Sequence, residues 1–343
     1  MSDVDTDGGL LDVVGIGNAL VDVLSHEADE LVVRQGLTRG TATMVDADRA
    51  DRVYAALGPA VEVSGGSAAN TIAGLASFGA RVAYVGRVRD DQLGSVFAHD
   101  LRAAGVRFDV TPASEGPATG RCLVIVTPDA QRTMCTYLGA SAHLGPGDVD
   151  DALVARAQVT YLEGYLWDQP EAKEAIRSAA RVARSAGRRV ALTLSDPFCV
   201  DRHRHEFLGL VEGEVDVLFA NEVEIRSLYE VDTFDAALQR VRHHCEIAAL
   251  TRSEHGSVIV ADDEVHVVDA RPVAHVLDTT GAGDLYAAGF LHGLTRGLGL
   301  DVCGRLGAIA AAEVISHLGA RPETSLAELA APVLGGAPGR PAS

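Results

Sequence analysis

The sequence predicts an α/β fold: a mostly parallel central sheet flanked by helices, from which a small second β-sheet projects. Two observations carry this reading. Short apolar runs such as LDVVGIG (11–17) suit strands buried on both faces, and they alternate with stretches of helical period. The segment 107–140 breaks that alternation, with strand-like runs and no helical period. The 343 residues, 47% hydrophobic, suffice for one such domain over 11–330, between a flexible start (1–10) and a flexible tail (331–343).

Taken in order, 11–17 is a buried strand, and 46–57 a helix capped by Asp46 with Val53, Ala56 and Leu57 on one face. SGGSAANTIAGLASFGA (64–80) is a glycine turn feeding a helix that stops at Gly79. A strand (81–88) and a helix (91–106, ending at Gly105) follow. FDVTPA and TGRCLVIVTPDAQRTMCTYLG contribute strands, the latter a hairpin about P-D-A-Q. With VDVLSH (21–26) and TATMV (41–45) they form the small sheet, drawn from about 20–45 and 107–140. Alternation then resumes. VTYLEGYL is a strand, PEAKEAIRSAARVARSAG a helix, RRVALTLSD and VDVLFAN strands, and a helix begins near 222. EIAALTRS is a strand and GSVIVADDEVHVVDA a hairpin; a last glycine loop, DTTGAGD (278–284), opens the helix LYAAGFLHGL.

Twenty-nine basic against 48 acidic residues leave a net charge of −19, which argues against nucleic acid and anionic membrane surfaces as partners. No run nears the roughly 18 apolar residues of a membrane span, and the acidic start does not resemble an export signal. A soluble, cytoplasmic protein is expected. Its five scattered cysteines read as small buried hydrophobes in a reducing compartment. His203, His205, His243 and His244 lack metal-ligand spacing and read as surface residues.

Four stretches could carry chemistry. DTTGAGD is either a capped turn or an anion hole. In the second case the N–H groups of Gly281, Ala282 and Gly283 at a helix start would face a phosphoryl group, and Asp284 would take a proton from an incoming hydroxyl. SGGSAAN is either a tight turn or a polyol contact, with Gly65 and Gly66 allowing close backbone approach and Asn70 offering a donor and an acceptor. GIGNALVD begins like a dinucleotide fingerprint. Its third glycine position is Leu20, however, and no acidic residue follows at the required distance, so Asn18 and Asp22 read instead as hydrogen-bonding groups at a strand's carboxyl end. In NEVE (221–224), Asn221 and Glu224 are either a solvated helix cap or a pair holding hydrated magnesium.

Across nearly the whole chain the sequence resembles the ribokinase-like, or phosphofructokinase B, family of sugar and nucleoside kinases. GGSAANTIAGLASFGARVAYVGRVRDDQLG (65–94) and DTTGAGDLYAAGFLHGL (278–294) carry the resemblance, and NEVE matches that family's N-x-x-E element. It implies a ribokinase-like core with a β-sheet lid, ATP as donor, Mg²⁺ as cofactor and a sugar hydroxymethyl group as acceptor. Asp284 looks like the catalytic base, and Gly281, Ala282 and Gly283 like the anion hole. Asn18, Asp22, Gly65, Gly66 and Asn70 look like the sugar-binding set, joined by Arg132 of the hairpin and Glu163. Asn221 and Glu224 would organise magnesium, through water, and phosphate. Thr251 and Gly256 match a T-x-G-x-x-G nucleotide loop in which Ser253 replaces the first glycine. Some relatives bind K⁺ beside the anion hole, where Asp278 and Thr280 could serve.

Within the family, GNALVD and TGRCLVIVTPDAQRTMCTYLGAS most resemble bacterial adenosine kinases. Adenosine, giving AMP, is therefore the expected acceptor, with a free sugar (ribose, fructose or a keto-deoxy sugar acid) as the alternative. A non-catalytic nucleoside sensor and a dinucleotide-dependent oxidoreductase are weaker readings. An exposed edge on the lid sheet would permit a homodimer.

Overall fold

The computed structural model describes residues 9–129 and 131–335, so the expected flexible ends and the tip of the P-D-A-Q turn lie largely outside the described residues. The chain runs β1 (Leu11–Ile16), β2 (Leu20–His26), α1 (Asp29–Arg34), β3 (Ala42–Met44), α2 (Ala47–Tyr54), β4 (Ala60–Gly65), α3 (Ser67–Ser77), β5 (Val82–Val85), α4 (Gln92–Ala103), β6 (Gly120–Val126) and β7 (Arg132–Tyr137). It continues through α5 (Asp151–Ala155), β8 (Ala157–Glu163), α6 (Pro170–Ser185), β9 (Arg189–Thr193), α7 (Pro197–Gly213), β10 (Val217–Asn221), α8 (Glu222–Tyr229), α9 (Phe234–Val241) and β11 (Ile247–Thr251). β12 (Ser257–Ala261), β13 (Glu264–Val268), α10 (Ala282–Thr295), α11 (Leu300–Val314) and α12 (Leu326–Leu334) complete it.

The main sheet has the order β13-β12-β11-β10-β9-β8-β1-β5, parallel from β5 to β11 and closed by the antiparallel β12–β13 hairpin. Its pleat divides the core in two. Val13, Val159 and Tyr161 pack with α3, α10 and α11, whereas Val14, Leu162 and Leu192 pack with α6 and α7 on the opposite face. No helix among the described residues is long and apolar enough to cross a membrane. Cys122, Cys135, Cys199 and Cys303 are buried, Cys245 is half-buried, and all five are free thiols.

The second sheet, ordered β3-β7-β6-β2-β4, is the lid. On one face Val21, Val23, Leu123, Ile125 and Cys135 join the main core through α1, α2 and α4. The other face carries Asp22, Cys122 and Thr136 in one cross-strand row, Leu24, Val124 and Met134 in the next, and Val126 with Arg132 in the third.

Several elements differ from expectation. FDVTPA (108–113) is not a strand; it makes a single isolated bridge, at Ala113, with another at the preceding Arg107. The edge strand β4 was not foreseen, because its Val61–Val63 alternation covers only six residues before the glycine turn. The helix α7 was also missed: a kink at His203 (φ −123°, ψ 17°) breaks its apolar period, although Asp196 caps it and Pro197 occupies its first turn. Parallel β9 and β10 require such a crossover. α12 continues to Leu334, so the first residues of the expected tail are helical.

Candidate active site

Two glycine turns meet beneath the lid. Gly66 adopts φ 98°, and a Cβ there would overlap the Asn18 carbonyl oxygen. At Gly65 a Cβ would overlap the Asp22 carboxylate, so this glycine makes room for an aspartate. Asp22 therefore lies not at the carboxyl end of β1 but inside lid strand β2, two residues beyond Leu20, which pairs with Gly65. Asn18 and Glu163 are largely engaged with each other. Asn18 Nδ2 donates to Glu163 Oε1 (2.7 Å), Glu163 Oε2 accepts from the Ala68 N–H (2.9 Å), and Asn18 Oδ1 accepts from Ser141 Oγ (3.0 Å). Both residues thus brace the β1–β2 and β4–α3 turns.

Asp284 stands in the first turn of α10, where its carboxylate accepts from Ser67 Oγ (2.6 Å) and from Asn70 Nδ2 (3.1 Å). Asn70 is only 5% exposed, and its Oδ1 has no partner among the described residues. A buried acceptor of that kind suits a ligand hydroxyl. No side chain caps α10, whose N-cap is Gly281 at φ 78°. A capped turn is therefore not what DTTGAGD forms. Ala282 turns its N–H back to Thr279 O (3.2 Å), so it is not one of the open amides. The N–H groups of Gly281 and Gly283 have no partner among the described residues, and a Cβ on Gly283 would meet nothing within 4 Å.

Arg132 reaches from the lid to this loop, pairing through Nη1 with Asp278 Oδ2 (2.6 Å) and donating to Thr280 Oγ1 (3.3 Å). Asp278 also accepts from the N–H groups of Thr280 and Gly319 (both 3.0 Å). The carboxylate expected to offer a potassium site is thus already matched by a guanidinium. The Nε and Nη2 atoms of Arg132 are buried without a partner among the described residues, which leaves two unspent donor groups on this guanidinium.

At the carboxyl ends of β10 and β11, Asn221 and Glu224 form a capping box. Asn221 Oδ1 accepts from the Glu224 N–H (2.9 Å), and Glu224 Oε2 from the Asn221 N–H (2.9 Å). The cap is not solvated, because Glu224 is 5% exposed. Burial, with the charges of Asp196 and Asp284 adding to it, pushes its carboxyl up to about 7. An oxygen donor in so negative a setting suits a hydrated divalent cation. Thr251 ends the adjacent strand. Gly256 has φ 79° and no room for a Cβ beside Val268 O, while Ser253 itself takes the left-handed φ of 49° that a glycine would supply there. The missing glycine is accommodated in the backbone.

The centre is a set of carboxylates with too little solvent. Burial raises Asp284 and pushes Asp22 up to about 6 and Glu163 up to about 7. Arg321 and Arg132 pull Asp22 back down, and the Asp284 charge opposes them. Arg321 was missed from sequence; it lies in a loop 37 residues after Asp284, outside any motif. Of the four histidines expected at the surface, His203 bonds Asp168 (2.6 Å) and His244 bonds the Tyr229 hydroxyl (3.0 Å), whereas His205 and His243 are exposed.

An α/β core, a lid over a half-buried aspartate, and open amides at a helix start define a phosphotransferase with a hydroxyl group as acceptor. The chain belongs to the pfkB family of carbohydrate kinases, whose model matches residues 42–326. Among solved structures it resembles adenosine kinase from Sinorhizobium meliloti, with 52% identity, TM-score 0.88, and coverage of 94% of this chain and 99% of that one. It is also similar to a probable sugar kinase from Rhizobium etli CFN 42, with 50% identity, TM-score 0.89 and coverage of 95% and 99%. The adenosine kinase of Saccharomyces cerevisiae is 28% identical over 330 residues, 90% of this chain and 95% of that protein.

Proposed function

We propose that the protein transfers the γ-phosphoryl group of ATP to the 5′-hydroxyl of adenosine, giving AMP and ADP. The observation that carries the choice of acceptor is the cleft face of the lid. There the hydroxyl-binding Asp22 adjoins an aliphatic and sulfur-bearing surface of Leu24, Cys122, Val124 and Met134. A free sugar has no use for such a surface, whereas a purine attached to ribose would bury a face against it. The 52% identity to an adenosine kinase supports the same choice.

In this reading Asp22 and the unpartnered Oδ1 of Asn70 hold the ribose hydroxyls, and the 5′-oxygen lies against Asp284. The Asp284 carboxylate takes the hydroxyl proton as the oxygen bonds to the γ-phosphorus and the bridging P–O bond to ADP breaks. Its raised affinity for protons makes it a stronger base than an exposed carboxylate. Charge on the transferring group meets the N–H groups of Gly281 and Gly283 and the spare donors of Arg132. Thr251, Ser253 and Gly256 shape the nucleotide side. Glu224 and Asn221 would hold hydrated Mg²⁺, which when bound neutralises phosphate charge.

The test is ATP consumption, with product identification, against adenosine, ribose, fructose and a keto-deoxy sugar acid. Adenosine should be turned over with the highest kcat/KM. A free sugar exceeding it would replace adenosine in this reading, and ATP turnover with none would favour a nucleoside sensor.

A further inference from the structure

The residue sequence reasoning passed over occupies a singular position. Arg321 donates four hydrogen bonds, all into the β4–α3 turn: Nε and Nη2 to Ser64 O (3.1 and 2.9 Å), Nη2 to Ser64 Oγ (3.1 Å) and Nη1 to Ala69 O (2.6 Å). Ser64 precedes the glycine beneath Asp22, and Ala69 precedes the asparagine bonded to Asp284. The guanidinium therefore grips both ends of the turn that presents the acceptor-side groups. Its own anchorage lies on the opposite turn. The Gly319 N–H bonds Asp278, and Ala320 packs so closely on Gly281 that a Cβ there would lie 2.8 Å from the Ala320 Cβ. Glu313 secures the far side of this strap by accepting from the N–H groups of Glu323 and Thr324 (both 2.8 Å).

We propose that Arg321 is a positioning residue for phosphoryl transfer, the member of a Gly319–Arg321 strap that holds the acceptor turn (Ser64–Asn70) in register with the anion loop (Asp278–Asp284). This rests on the assignment of those two loops to the acceptor and the transferring phosphoryl group. No carboxylate among the described residues lies within ion-pairing distance of Arg321, so its charge is not consumed by a contact partner. It acts through the field on the groups around it, which are Asp22 on β2, Asp284 on α10, Tyr84 on β5 and Asp100 on α4, with Arg132 of β7 as the second cation facing Asp22. Asp22 and Asp284 are both drawn down toward their ionised forms by it.

Arg321→Lys and Arg321→Met test this, each in the full chain. The first readout needs no substrate: hydrogen–deuterium exchange should speed up over residues 64–70 and 278–285 while the amides of α6 and β9 keep their protection. The second is kinetic, with ATP and adenosine, or with ribose or fructose if wild type rejects adenosine, so failure of the acceptor assignment is seen in wild type alone. Misplacement of the acceptor by about 1 Å should lower kcat/KM by about 10²-fold, with the KM for ATP little changed. The acid limb of kcat/KM should move to higher pH in Arg321→Met, where the charge is lost, and less in Arg321→Lys. Unchanged exchange at both turns would overturn the proposal. So would a loss of active fraction in which the remaining enzyme keeps wild-type KM and pH profile, or loss of the melting transition in both variants, which would make Arg321 a determinant of the fold alone.

Discussion

Replacing Asp284 by asparagine separates proton transfer from binding, because the two side chains have the same shape. The carboxylate accepts from Ser67 Oγ and Asn70 Nδ2. An asparagine keeps one acceptor oxygen for Asn70 and can reverse the bond to Ser67, whose hydroxyl also accepts, so the turn stays in place. What disappears is the base, worth about 10²–10⁴ in kcat, or about 2.7–5.4 kcal/mol of transition-state stabilisation. A second effect has the opposite sense. The Asp284 charge helps raise Asp22, which sits at about 6, so its removal lets Asp22 ionise at lower pH. If Asp22 must be ionised to accept acceptor hydroxyls, the acid limb of acceptor binding in Asp284→Asn moves to lower pH than in wild type. Steady-state kinetics with ATP, paired with calorimetric titration of acceptor from pH 5 to 8, read both effects. Near-wild-type kcat would refute the role of base, and an acid limb that stays put would refute the coupling to Asp22.

Glu224→Gln can keep the backbone half of the capping box but gives up the acceptor for Asn221 Nδ2 and removes the charge, so the Mg²⁺ concentration for half-maximal rate should rise by about tenfold. Any loss of stability should be smaller at pH 8 than at pH 5, because a carboxyl raised to about 7 loses folded-state stability as pH climbs from its unfolded value through 7 and the glutamine does not. A magnesium titration and a melting curve check both. Gly66→Ala forces a Cβ into the Asn18 carbonyl at a positive φ, so both acceptor turnover and stability should drop, the latter by more than about 1–2 kcal/mol in a urea titration. Arg132→Met strands Asp278, whose side chain is 4% exposed, and should cost about 3–5 kcal/mol in the same assay. Exchanging NaCl for KCl should leave wild-type kcat unchanged, since Arg132 already meets Asp278.

The alternation of buried strands and helices was legible because a sheet covered on both faces writes its burial directly into apolar runs such as IAALT and VLFAN. The lid hairpin was legible for the contrary reason, the lack of any 3.6-residue period. Elements with a broken or very short pattern, α7 with its kink and β4 at an edge, were not. At the site, the glycine motifs marked the turns that carry Asn70 and Asp284, and at one of these glycines, Gly65, the missing Cβ makes room for a site side chain, that of Asp22. Ala282 did not behave as a bare spacing argument suggests, since the loop closes on itself through Thr279. Arg321 left no local trace. Its importance lies in contacts 252 and 257 residues distant along the chain, and a single sequence does not encode that pairing as a pattern.

The chain passes between the main body and the lid four times, and two of those passages, Gly17–Ala19 into β2 and Gly65–Gly66 out of β4, carry or back Asn18 and Asp22. Half of its connections to the core therefore also hold its candidate binding groups. For evolution within such a scaffold, this couples two traits that a detachable cover would keep separate. A lid exchanged between relatives brings its own choice of acceptor with it, and a change of acceptor made at these turns alters how the cover seats. Diversification of substrate should then proceed along the aliphatic strands of the lid, beyond these turns, where a new side chain reshapes the cleft without disturbing how the cover is joined.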